Sequence, residues 1–185
     1  MTSIVVFSGS PSLVSKTAIL GDFVVASLRE RGLSAAHVRL RELPGEALLA
    51  GDADHPAISR EIRRIADADG AVFVTPIYKA SFSGLIKLFI DALPQFALRG
   101  KVAMPLATGG SLAHVLALDY GLRPVLQSLG ARHIVQSFFV LQSEIESEVS
   151  KTISIAPLFR QALDEFYESA TLDRSFSARN RAAVS

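Results

Sequence analysis

The chain has 185 residues, 49% of them hydrophobic and 20% charged, with a formal net charge of +1. That composition suits one globular domain with a full interior, and the near-zero charge gives no broad pull toward nucleic acid or an anionic membrane. Cysteine is absent, which excludes disulfides, zinc–thiolate sites, cysteine-ligated clusters and thiol catalysis by this chain.

The first residues, MTSIVVF, carry no basic, apolar leader, and no run reaches membrane-spanning length. A cytoplasmic protein is the expectation. Ile4 to Phe7 reads as a buried strand, and Thr17 to Arg31 as a helix ended by Gly32. Ala35 to Leu40 is a second strand, followed by an irregular stretch from Arg41 to Asp54 with Pro44, Gly45 and Gly51. Pro56 to Ala68 is a helix with Ile58, Ile62 and Ile65 on one face. Gly70 to Thr75 is a third strand, almost wholly apolar, as in a sheet covered on both faces. A short helix from Gly84 to Leu93 stops at Pro94, and Lys101 to Ala107 is a fourth strand. Leu112 to Leu129 reads as a helix, His133 to Leu141 as a fifth strand and Ile155 to Leu172 as a last helix. Residues 1–174 form the expected domain, and 175–185 a flexible tail.

Strands alternating with helices predict an α/β three-layer sandwich, a five-stranded parallel sheet with helices on both faces. Right-handed crossovers leave few orders, and the flavodoxin-like order 2-1-3-4-5 is the candidate. Ligands of such sheets bind beyond the carboxyl ends of the strands, near the switch point. The unusual residues fall there. After strand 1 comes SGSPSLVSKT, with hydroxyls at Ser8, Ser10, Ser12, Ser15 and Thr17, the cation Lys16 and a helix N-terminus. This is neither a Walker A loop nor GxGxxG, so it suits one phosphate monoester better than a triphosphate or dinucleotide. The alternative is that Ser15 or Thr17 simply caps the helix. After strand 3 comes Pro76-Ile77-Tyr78-Lys79-Ala80-Ser81-Phe82-Ser83-Gly84, an aromatic among small residues that suits a planar heterocycle. Its plain alternative is that Tyr78 and Phe82 only seal the core. After strand 4, Thr108-Gly109-Gly110-Ser111 gives close backbone approach and two hydroxyls.

A phosphate cradle, an aromatic platform and a glycine wall describe a flavin mononucleotide site. Here the chain resembles the NADPH-dependent FMN reductases of the flavodoxin-like superfamily, and most of all the small reductases of two-component alkanesulfonate monooxygenase systems. The carriers are Ser8-Gly9-Ser10-Pro11, the TPIYKASFSG run from Thr75, Leu93-Pro94 before Leu98-Arg99-Gly100-Lys101, LATGGS from Leu106, and Ala113 to Tyr120. The family often has an arginine shortly after the first turn, where this chain has Ser12, and Lys16 would supply the charge. The resemblance implies that Ser10, Ser15, Lys16 and Thr17 hold phosphate, with Ser8 a further cofactor-site residue. Pro76, Ile77, Tyr78 and Lys79 would line the isoalloxazine, Thr108, Gly109, Gly110 and Ser111 would close the ring and ribityl side, and Ser83 is a further cofactor-site residue. It further implies FMN reduction by NADPH, with NADH possible, supply of FMNH2 to an alkanesulfonate monooxygenase, and a homodimer or homotetramer. No obligatory catalytic residue is expected.

Pro124 lies inside the Leu112–Leu129 helix and removes the N–H that would pair with Tyr120, so a kink or a bulge near Tyr120 is expected. The resembled subgroup carries a tyrosine at a π-helical position here, at a subunit interface, which favours the bulge and a role for Tyr120 in flavin transfer. His37, His55, His114 and His133 show no metal spacing, so no metal is expected. The competing functions are a quinone or azo-dye reductase that retains its FMN, and a flavodoxin-type electron carrier. The near-neutral charge and the absence of tryptophan count against the carrier.

Overall fold

The computed structural model describes residues 1–145 and 157–182. Strand β1 (Ser3–Ser8), helix α1 (Lys16–Glu30) and strand β2 (Ser34–Arg39) come first, then helices α2 (Gly45–Ala50) and α3 (Pro56–Asp67). Strands β3 (Gly70–Tyr78) and β4 (Ser81–Phe82) lead into helix α4 (Gly84–Asp91) and strand β5 (Val102–Gly109). A π-helix (Leu118–Leu122) runs into helix α5 (Arg123–Ser128), followed by strands β6 (His133–Ile134) and β7 (Phe138–Leu141) and helix α6 (Pro157–Ala182).

The parallel core runs β2-β1-β3-β5-β6, with β7 also on β5 and β4 on β3. β6 pairs with the start of β5 and β7 with its end, so the two fill one position. That is the order 2-1-3-4-5 expected from the sequence, in a flavodoxin-like α/β sandwich, although the sheet counts seven strands rather than five. The predicted strand His133–Leu141 is interrupted because the Arg123 guanidinium takes the carbonyls of Ile134 and Val135, at 3.0 and 2.8 Å.

The layers follow from alternation along the strands. Phe7 and Phe73 point to one face, where Phe7 meets Phe89 of α4 with ring centroids 4.7 Å apart. Val6, Val72 and Met104 point to the other, under α1 and under Phe159 and Phe166 of α6. Lys101 is buried yet satisfied, since its ammonium donates to the carbonyls of Ala66 and Ala68 at 2.7 and 2.6 Å. A cation there closes the C-terminal end of α3, where orphan carbonyls concentrate negative potential.

Three readings of the sequence need correction. The stretch read as irregular holds α2, because Pro44 precedes that helix and Gly51 ends it in the left-handed region at φ 64°. The Leu112–Leu129 helix is broken into a 3-10 turn (Leu112–His114), the π-helix and α5. α6 continues to Ala182, where a tail is expected from residue 175, since residues 175–182 hold no proline or glycine to stop it. Residues 155–156 of the predicted last helix and 183–185 of the tail lie outside the described residues.

Candidate active site

The carboxyl ends of β1, β3 and β5 end level with one another: Ser8 stands beside Val74 and Pro76 beside Thr108. The three loops that follow therefore share one edge of the sheet. Gly9 donates its N–H to the Val74 carbonyl at 2.9 Å. A Cβ at Gly9 would lie 2.2 Å from Ile86 Cγ1 and 2.8 Å from Ser83 Oγ, so only glycine lets the first loop sit this close to α4. Ser83 then ties the loops together. Its hydroxyl donates to the Gly9 carbonyl at 2.6 Å and caps α4 by accepting from Ile86 N at 3.3 Å. Its own N–H donates to Thr75 Oγ1 at 2.9 Å. Ser83, placed against the flavin in the sequence reading, is thus buried as a strut between two loops.

In the first loop Ser15 caps α1, its hydroxyl accepting from Ala18 N at 3.2 Å. Ser10 is buried and its hydroxyl accepts from Ser12 N at 3.3 Å. Thr17 is buried beside them. Lys16 is half-buried and its ammonium donates to the Ile145 carbonyl, so it bridges from α1 to the chain beyond β7. Ser8 faces away from this loop. Its Oγ lies 2.8 Å from His37 Nε2, and His37 Nδ1 lies 2.8 Å from Asp22, whose carboxylate also receives Arg39 at 2.7 Å. With Nδ1 donating to Asp22, the neutral ring accepts the Ser8 proton at Nε2. Burial lowers the His37 pKa below its ordinary 6.5, against the opposing pull of Asp22. Ser8, a cofactor-site candidate from the sequence, is thus engaged with His37.

The second loop is a hairpin that the sequence reading missed. Ile77 pairs with Phe82 and Tyr78 with Ser81, leaving Lys79 and Ala80 as the turn at φ 49° and 63°. Both central residues in the left-handed region make this a tight turn that matches the strand twist. Pro76 is buried in β3, Ile77 is half-buried, and Tyr78 and Lys79 stand exposed at the tip.

The third loop follows β5. A Cβ at Gly109 would stand 2.7 Å from Phe139 Cζ, while one at Gly110 would meet nothing. Ser111 is exposed and caps the next turn through Ala113 N at 3.2 Å. Thr108 is wholly buried, and its hydroxyl has no partner among the described residues. An orphaned hydroxyl at the sheet edge is uncommon. It suits an edge that a polar ligand completes.

The π-helix flanks this edge. Leu118 and Leu122 are buried, Gly121 lies against Phe82 of the hairpin, and Tyr120 turns outward with 79% of its surface exposed. Asp119 and Arg123 anchor it. Arg123 Nε donates to Asp119 at 3.1 Å, and Ser137 Oγ donates to the same oxygen at 2.6 Å. Asp22, His37, Thr75 and Arg123 are the residues that sequence reasoning missed. Each works through partners distant in sequence, and only the spacing Asp119–Arg123 was readable as a helical pair. Among the described residues no cluster of three or more potential ligands could hold a metal ion.

Residues 2–145 match the family model for NADPH-dependent FMN reductase. The chain belongs to that family. It is an oxidoreductase whose flavin is FMN and whose hydride donor is a reduced nicotinamide nucleotide. The reductase is 38% identical over 166 residues to FMN reductase (NADPH) of Pseudomonas putida KT2440, covering 89% of this chain and 84% of that one. Among solved structures, an apo NADH:FMN oxidoreductase (EMOB) superposes with a TM-score of 0.81 at 48% identity, over 91% of this chain and 90% of that one. A Streptococcus pneumonia TIGR4 flavodoxin shares the fold at 17% identity, with a TM-score of 0.60 over 93% and 99% of the two chains.

Proposed function

We propose that this reductase releases FMNH2 to a partner flavin-dependent alkanesulfonate monooxygenase and so serves sulfur acquisition in the cytoplasm. The observation that carries the reading is the π-helix at Leu118–Leu122, which turns Tyr120 outward while its neighbour Gly121 lies against Phe82 of the hairpin. Regular α-helical spacing would place the residues before Pro124 differently, and π-helices concentrate at functional sites. No helix among the described residues is long and apolar enough to cross a membrane.

In this reading Ser10, Ser15, Lys16 and Thr17 receive the phosphate with the amides at the start of α1. Lys16 holds the Ile145 carbonyl with one N–H, and an ammonium has two more. Pro76, Ile77, Tyr78 and Lys79 support the ring from one side, and Thr108 to Ser111 close the other. The bound flavin supplies the redox chemistry, taking hydride from the nicotinamide. The chain's part is to hold two rings in register, so orientation rather than a proton-transferring residue supplies most of the rate. NADPH is the expected donor, with NADH accepted.

Tyr120 shares an exposed apolar face with Leu112, Val115 and Leu116. Contact between copies through that face would give a homodimer or homotetramer with Tyr120 near the flavin edge, where it keeps the site open for departure of the reduced flavin. The deciding experiment is steady-state kinetics of apo-protein with FMN and NAD(P)H both varied. FMN is expected to behave as a dissociable substrate that binds more tightly than riboflavin. Turnover independent of added FMN, in a protein that purifies yellow, would instead indicate a retained flavin and a quinone or azo-dye acceptor.

A further inference from the structure

Beside the first loop, on its β2 side, lies a groove of about 420 Å³. Its apolar surface comes from Leu13, Val14 and Ile19, its cationic edge from Arg39 and Arg41, and it shares Ser12 and Ser15 with the phosphate loop. Its volume falls within the range of small-molecule sites, about 300–1,000 Å³. Arg41 is fixed by its Nε, which donates to the Pro11 carbonyl at 3.2 Å. Its two terminal nitrogens have no partner among the described residues. Asp22 also lines the groove, but its charge is held by Arg39 and by His37. Glu42 completes the lip and is exposed to solvent.

We propose that this groove is an adenylate subsite. A flat base fits against Leu13, Val14 and Ile19, and a guanidinium both stacks on aromatic faces and pairs with phosphate oxygens. The position carries the argument further. The groove shares Ser12 and Ser15 with the loop assigned to the flavin phosphate, so an adenylate carried by a ligand of the flavin site lies within reach of it. Two ligands supply that chemistry: FAD, whose adenylate extends from the flavin phosphate, and the nicotinamide nucleotide, whose adenosine half is distant from its reacting ring. The proposal rests on the reading of the Ser8–Thr17 stretch as an anion cradle.

The test uses the full chain and the variants Arg41→Gln, which removes the free cation, and Arg41→Glu, which reverses its charge. Flavin dissociation constants for riboflavin, FMN and FAD are read by fluorescence quenching, and KM is measured for NADPH and NADH. Both variants are expected to keep FMN affinity and kcat within about twofold. They should weaken FAD about tenfold if the flavin supplies the adenylate, or raise the nucleotide KM about tenfold if the nicotinamide nucleotide does. If neither changes, or if FMN weakens in parallel with FAD, the groove is not a separate subsite. Failure of the cradle reading is distinct, because it would appear in the unmodified protein as equal affinity for FMN and riboflavin.

Discussion

At the tip of the β3–β4 hairpin, Lys79 and Ala80 both hold positive φ, a conformation that costs an L-residue about 1–2 kcal/mol. Such turns are usually built from Asn-Gly, and the absence of that pair is why the hairpin was not legible in the sequence. Ala80→Gly should relieve the strain and lose part of the gain to the greater freedom of glycine in the unfolded chain. We expect a net stabilisation of up to about 1 kcal/mol in urea unfolding; a loss of stability would show that the Ala80 methyl makes a contact worth more than the strain. His37 gives a second prediction at this scale. Its folded pKa lies below the unfolded value of 6.5, so between the two the unfolded chain binds more protons. Its stabilising contribution is complete above 6.5 and declines as pH falls toward the folded pKa. Urea midpoints taken between about pH 8 and pH 5 should fall more steeply for the parent than for His37→Gln, which can still accept from Ser8. Equal slopes would mean that His37 does not contribute to the pH dependence.

Among the elements, the π-helix is the one in which a sequence rule and the structure meet most closely. Pro124 cannot donate to the Tyr120 carbonyl, and the chain accommodates this by widening the turn over Leu118–Leu122 before α5 begins. The proline was readable, but the anchors were not, because Ser137 and the Ile134 and Val135 carbonyls become neighbours of Arg123 only once the fifth sheet position is formed. The same holds for Ser83 and Gly9, which are 74 residues apart and look like unrelated loop residues until the sheet brings them together. Deleting Tyr120 removes one residue from the widened turn and should restore ordinary α-helical spacing up to Pro124. We expect that variant to purify with more bound FMN and to lose most of its NAD(P)H-driven flavin turnover, measured as flavin absorbance per chain and steady-state rate. A deletion variant that folds, purifies as colourless as the parent and turns over FMN at the same rate would make the π-helix ordinary scaffold.

For the whole molecule, the order of the sheet could be read because apolar runs and helix-length segments alternate and handedness prunes the topologies. What covers its outer surface was less legible, since an exposed leucine is unremarkable singly and informative only when the fold gathers several. Leu112, Val115, Leu116 and Tyr120 are gathered in this way along the broken helix, while Leu118 and Leu122 of the same segment already supply its contact with the core. The segment thus carries a second apolar face that remains exposed among the described residues. A second copy meeting this face would remove it from water, at about 25 cal/mol for each Å² of apolar surface buried. A charge introduced at its middle would have to be buried without a partner. Leu116 is 59% exposed in the single chain, so Leu116→Glu should leave folding intact. The expected result is a parent that sediments as a dimer or tetramer at micromolar concentration and a variant that sediments as a smaller species with an unchanged thermal transition for the chain itself. If parent and variant share one mass, the contact lies elsewhere and Tyr120 is left facing solvent, which removes the subunit boundary through which it is proposed to act on flavin release.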